Sequence, residues 1–196
     1  MAEIILKTDL KNLSIVQYEA IRNELKTGDL FFGSGSYLFS GVIQRLTKST
    51  WSHVAIIYKD EELGRVLVLE SEPFVGVRLI PLSKYLYDYK GSNKSYKGQI
   101  ALAKLAIPLD KEALNRGISF GLDELTRPYD NYEIIRIMIR MYFKITKRAN
   151  NRAYICSEFV RDILENSNII LPYRDTYISP DDVWTDERLV MTHRIL

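Results

Sequence analysis

One cysteine, two histidines and a glutamate on an apolar segment are the residues of this 196-residue chain that could carry covalent chemistry. Cys156 stands in Tyr154-Ile155-Cys156-Ser157-Glu158-Phe159-Val160, where an extended approach meets the start of a helix with an acid in its first turn. A helix N-terminus offers N–H groups with no intrahelical partner and the positive end of the aligned peptide dipoles, which stabilise a thiolate and an oxyanion beside it. Cys156 is therefore a candidate nucleophile, with its own backbone N–H a candidate oxyanion donor. The plainer reading of a lone cysteine is a small core hydrophobe. With no second cysteine there is no internal disulfide and no multi-cysteine zinc site. A redox-sensor thiol would need a resolving cysteine from another chain.

His53 opens the apolar run Val54-Ala55-Ile56-Ile57, directly after Trp51-Ser52, so its imidazole projects from a strand end. An unperturbed imidazole titrates near neutrality, which suits it to take a proton from a thiol. An isolated histidine is more often a satisfied core or surface residue. His193, the other one, lies near the C-terminus where fraying is expected, and is the weaker candidate. Glu70 ends Val66-Leu67-Val68-Leu69, which puts a carboxylate on an apolar strand next to the one that His53 begins. A charge in such a place needs a partner. Holding the imidazole in one tautomer and stabilising the imidazolium is the third role in a nucleophile–base–carboxylate set. Glu72, followed by Pro73, reads instead as the start of a solvated turn.

The elements that must position these groups are legible from period and punctuation. Residues 12–26 space Leu13, Val16, Tyr18, Ile21 and Leu25 as an amphipathic helix would, and Gly28-Asp29 ends it. Leu30-Phe31-Phe32 is a short strand that gives way to Gly33-Ser34-Gly35-Ser36, read as a flexible turn. Tyr37 to Thr47 reads as a short helix. His53 to Tyr58, Arg65 to Glu72 and Val75 to Ile80 read as antiparallel strands, with Gln99 to Ala106 in the same sheet. Glu112 to Thr126, Tyr132 to Lys147 and about Ser157 to Glu165 have helical lengths. The expected class is α+β, an antiparallel sheet or partial barrel packed on helices.

Bulk numbers narrow the function. A chain with 46% apolar residues suits one compact domain over 1–196, carrying a helical insertion at about 110–150. Twenty-seven basic against 25 acidic residues give a formal charge of +2, so nucleic acid is not favoured as a partner. The N-terminal segment breaks each short apolar run with charge and lacks a cleavage site, unlike a secretory signal. No stretch reaches the roughly 18 uncharged apolar residues that span a bilayer. A soluble, cytoplasmic protein is the expectation. Arg136, Arg140, Lys144 and Lys147 lay a basic stripe along the helix expected at 132–147. Such a stripe suits peripheral contact with an anionic bilayer, although a core helix with a basic solvated face is the commoner case.

Gly28-Asp29-Leu30-Phe31-Phe32, Trp51-Ser52-His53-Val54-Ala55-Ile56, Leu69-Glu70, Tyr129-Asp130 and Tyr154-Ile155-Cys156-Ser157-Glu158 follow one another in an order that resembles a known family. The closing Ile178-Ser179-Pro180-Asp181-Asp182-Val183 fits the same pattern. The resemblance is to the circularly permuted NlpC/P60 (papain-like) cysteine hydrolases of the YiiX/YebB-like type. It implies a fold in which histidine-bearing barrel strands precede the cysteine-bearing helix. It also implies Cys156 as nucleophile, His53 as base and Glu70 as the third polar member. Tyr154 resembles a family tyrosine that can hydrogen-bond at the oxyanion site, with ordinary packing as its alternative, and Trp51 and Ser52 are candidate substrate-side residues. The activity implied is cleavage of an amide, peptide or N-acyl, through a thioester. Lipid-acting acyl transfer, or peptide or lipid binding without turnover, are the alternatives. No cofactor or metal is expected, since two histidines and one cysteine give no convincing ligand set.

Overall fold

The computed structural model describes residues 10, 14–35, 41, 44, 49–128, 155–172 and 178–196. Its frame is a six-stranded sheet in the order β4-β3-β2-β1-β5-β6. The strands are β1 (Leu30–Gly35), β2 (His53–Asp60), β3 (Arg65–Glu72), β4 (Gly76–Pro81), β5 (Gly98–Leu105) and β6 (Leu189–Arg194). Every pairing is antiparallel. The order leaves β4 and β6 at the two edges, so the sheet is open. This is the α+β, antiparallel-sheet architecture expected from the sequence.

Both faces of the sheet are covered, and that explains why its central strands are apolar at nearly every position. On one face Leu30, Phe32, Val54, Ile56 and Leu69 pack beneath the helix α4 (Cys156–Asn166), through Phe159, Val160 and Ile163. On the other, Phe31, Ala55, Ile57 and Val68 pack on the short helix α2 (Leu82–Tyr87) and on Tyr89 and Tyr96. Alternation along each strand assigns the faces. Helix α3 (Lys111–Asp123) begins at Asp110, whose carboxylate accepts the N–H of Glu112, and runs against α4. The two helices come into close contact at Gly117, where a methyl group would stand 2.4 Å from the carbonyl oxygen of Ile163. A capping box formed by Ser179 and Asp182 starts the short helix α5 (Pro180–Trp184).

Four expectations are corrected. Residues 12–26 do not form one helix. Among the described residues only Tyr18–Ile21 is helical (α1), because Val16 N–H bonds to Arg194 O and Ile15 bridges to the same residue, holding that stretch extended against β6. Gly33-Ser34-Gly35 is strand rather than flexible turn: it pairs with Gly98–Ile100 of β5, and Ser52 Oγ accepts the Gly35 N–H at 3.0 Å. His193 is not in a frayed tail but in β6, opposite Leu102. Glu72 is buried, not in a solvated turn. The short helix α2 has no counterpart in the sequence reading. The helix expected at 132–147, and most of the one at 37–47, lie outside the described residues. Among those residues, no helix is long and apolar enough to cross a membrane.

Candidate active site

The β1–β2 ladder ends at the pair Gly33 and His53, so the imidazole stands where the sheet opens. By alternation His53 shares the face of Ala55 and Ile57, the tyrosine-bearing side. The register Ile57 to Val68 puts Glu70 diagonal to His53 on that same face. There Nε2 of His53 lies 2.5 Å from Oε2 of Glu70. Cys156 arrives from the opposite side of the sheet, as the first residue of α4, with Ile155 extended at the N-cap. Cys156 acts on the ring from there, as a hydrogen-bonding partner and as a charge, and both influences raise the imidazole. With Nε2 turned to Glu70, Nδ1 is the ring nitrogen left to serve the sulfur.

Glu70 has no solvent exposure. It remains a carboxylate because donors surround it. Arg78, directly opposite on β4, donates Nε to Oε1 at 2.7 Å, and Tyr85 of α2 donates its hydroxyl to Oε2 at 2.6 Å. Desolvation pushes the Glu70 carboxyl up, but the bond and charge of His53, the Arg78 guanidinium and the Tyr85 hydroxyl outweigh it and hold the group down at about 2. The same exchange acts on His53. Burial favours the neutral ring, yet the hydrogen bond to Cys156 and the bond and charge of Glu70 raise it well above its ordinary value. The balance favours the charged form of the ring. Tyr85 is raised by burial and by the charges of Glu70 and Glu72, and so stays a phenol able to donate.

Glu72 extends the network. It accepts Arg78 Nη2 at 2.5 Å, Lys90 Nζ at 2.8 Å and the Tyr89 hydroxyl at 3.2 Å. Arg78 thus spans two buried carboxylates, which its planar fork permits and a point charge would not.

The structure brings Cys156, His53 and Glu70 together, and handles the other expected site residues differently. Trp51 is 1% exposed and packs on Phe32 and Trp184, with ring centroids 5.6 and 4.8 Å away. Ser52 spends its hydroxyl on the backbone of β1, accepting from Gly35 and donating to Gly33 O at 3.4 Å. Both hold the strand end that carries His53. Tyr154, Tyr129 and Asp130 lie outside the described residues. His193 is far along the sheet from His53, with β1 and β5 between their strands. Its Nε2 is 3.7 Å from Glu24, and burial lowers its pKa. Sequence reasoning missed Arg78 and Tyr85. The signal available for Arg78 was a cation inside the apolar run Val77-Arg78-Leu79, one hairpin from Glu70.

Comparison with known proteins bears on the family and the fold. A family model described as permuted papain-like amidase enzyme, YaeF/YiiX, C92 family, matches residues 24–182. No curated protein sequence matches the chain. Among solved structures it is similar to the metalloprotein yiiX from Escherichia coli O157:H7, at 18% identity and a TM-score of 0.52, over 85% of this chain and 96% of that one. That likeness concerns the fold. As to the metal in that description, no group of three or more His, Cys, Asp or Glu among the described residues could hold an ion. The expected resemblance carried the NlpC/P60 name; the match over residues 24–182, on an open antiparallel sheet with the histidine strand ahead of the cysteine helix, makes the chain a member of the permuted papain-like amidase family of the YaeF/YiiX type.

Proposed function

We propose that the chain is a cysteine hydrolase that cleaves an amide bond of a small peptide or N-acyl substrate with Cys156 as nucleophile, His53 as acid–base and Glu70 as the carboxylate that orients and charges the ring. The observation that carries the reading is the position of His53, bonded through Nε2 to a solvent-free Glu70, with Cys156 at the start of α4 acting on the same ring. In the first step His53 takes the proton of the Cys156 thiol. The Cys156 sulfur adds to the amide carbon, and the carbonyl π electrons move to oxygen, where the backbone N–H of Cys156 receives the oxyanion. Collapse breaks the C–N bond as His53 gives its proton to the leaving nitrogen, forming a thioester and an amine. Water then loses a proton to His53 and adds to the thioester. A second collapse breaks the C–S bond and releases the carboxylic acid, and the proton that His53 took from water passes to the sulfur. Throughout, the Glu70 carboxylate stays ionised beside the imidazolium.

The test pairs chemistry with substitution. Amide, ester and thioester probes are screened with the parent protein and with Cys156→Ala, and iodoacetamide labelling of Cys156 is timed near neutrality beside His53→Ala. Turnover lost in Cys156→Ala, with labelling slowed in His53→Ala, is the expected result. A Cys156→Ala protein that turns over a substrate as fast as the parent removes the nucleophile assignment.

A further inference from the structure

A carboxylate can orient a histidine only if something orients the carboxylate. Glu70 carries three flexible side-chain torsions and no water reaches it. Its aim is set by what else it bonds. Oε1 is taken by Arg78 Nε at 2.7 Å, and Oε2 is shared by His53 Nε2 at 2.5 Å and the Tyr85 hydroxyl at 2.6 Å. Neither of these two partners stands alone. Arg78 is anchored a second time on Glu72, and that residue is held in turn by Lys90 and Tyr89 from the turn after α2. The Tyr85 ring is fixed by Phe31, Tyr89 and Tyr96, with centroids 4.7, 5.1 and 5.4 Å away. Both donors therefore approach Glu70 from supports that do not depend on His53.

We propose that Arg78 and Tyr85 are positioning residues, which act through Glu70 to keep its carboxylate charged and aimed at Nε2 of His53. The inference rests on the Cys156–His53–Glu70 reading above. Removing either donor leaves a buried carboxylate under-bonded, so it takes a proton at higher pH and stops supporting the imidazolium. The charged and titratable groups facing Glu70 are then His53 from β2, Glu72 from its own strand, Arg78 from β4 and Tyr85 from α2, with Cys156 behind His53. Lys90 and Tyr89 reach it only through Glu72.

The experiment follows the acid limb of iodoacetamide labelling of Cys156, which needs no substrate. Tyr85→Phe deletes one oxygen and keeps the ring, so it is the variant that folds most surely; Arg78→Met and Arg78→Lys accompany it, with Glu70→Gln as reference. The acid limb should move up by about one pH unit in Tyr85→Phe and further in Arg78→Met, at unchanged thermal midpoint-corrected folded fraction. Arg78→Lys should recover part of the shift, because a point charge restores attraction but cannot bond both carboxylates in one plane. Acid limbs that coincide with the parent in Tyr85→Phe and both Arg78 variants, while Glu70→Gln departs from it, overturn this inference and leave the triad standing. A Glu70→Gln limb identical to the parent overturns both.

Discussion

Gly117 of α3 lies so near α4 that a Cβ there would stand 2.4 Å from the carbonyl oxygen of Ile163 and 2.0 Å from Oγ of Ser167. Ile163 is two turns along the helix that begins with Cys156. Glycine at this point sets how closely the helix of Cys156 is pressed to its neighbour. The side chain of Ser167 could turn away, but the Ile163 carbonyl is backbone and can yield only if the helices part. Gly117→Ala should therefore destabilise the protein by about 2 kcal/mol, overpacking outweighing the better helix propensity of alanine. A lower urea midpoint with an unchanged m-value checks it. An unaltered midpoint would mean that α3 and α4 are not held at this distance.

The elevated His53 depends on the charge of Glu70, so neutralising that charge has a signed effect. In Glu70→Gln the ring should fall back toward its ordinary range, and the alkaline limb of turnover, where the imidazolium that protonates the leaving nitrogen is lost, should move to lower pH. Turnover should drop by about 10²- to 10⁴-fold, as expected when the group that orients a catalytic imidazole loses its charge. Steady-state rates across pH 5 to about 10 decide it, and an alkaline limb that stays in place contradicts the assignment of Glu70.

The same pair makes stability depend on pH in opposite directions. Glu70 is lowered from 4.5 to about 2, so its contribution is complete above 4.5 and is lost as pH falls through about 2. His53 is raised above 6.5, so its contribution is complete below 6.5 and is lost as pH rises through the elevated folded value. As far as these two groups decide it, the protein is most resistant to urea between pH 4.5 and 6.5. Midpoints measured from pH 2 to about 10 should trace that plateau in the parent and a flattened one in Glu70→Gln.

A smaller effect is expected at the other end of the chain. Ser179 accepts the Asp182 N–H at 3.2 Å, while Asp182 accepts the Ser179 N–H at 2.7 Å. This cap starts α5, and Trp184 on α5 packs on Trp51 and Phe32 beneath the strand end of His53. Ser179→Ala should cost about 1 kcal/mol, read as a fall in thermal midpoint with the labelling rate of the folded protein nearly unchanged. A change several times larger would show that the segment does more than cap.

The sheet was legible where the sequence repeats its own constraint. Val66 to Glu72 and His53 to Ile57 are bounded apolar runs, and both faces of the sheet are covered, so the pattern and the packing agree. The helix from Cys156 announces itself by an acid in its first turn and apolar residues at Phe159, Val160, Ile163 and Leu164. Glu70 could be singled out because a lone acid on such a strand demands partners. The partners could not: Arg78 is tied to Glu70 by strand register, which depends on the turn between β3 and β4, and Tyr85 sits on a six-residue helix too short to show a period. Glu72 was misread for the same reason. Beside Pro73 it looks solvated, and only Arg78, Lys90 and Tyr89 together explain its burial. The β6 pairing of His193 and the extended path at Ile15 likewise arise from contacts between the two ends of the chain, which local pattern does not encode.

The sulfur belongs to the layer of α4 and the imidazole to the layer of Phe31 and Tyr85, yet Cys156 acts on the ring of His53. Reactivity of the thiol is thus a gauge of how the layers are seated rather than of how much helix or strand is formed. Under gentle denaturation, enhanced alkylation should vanish while far-ultraviolet dichroism is still nearly native, since a slip of one layer parts the pair without unwinding either.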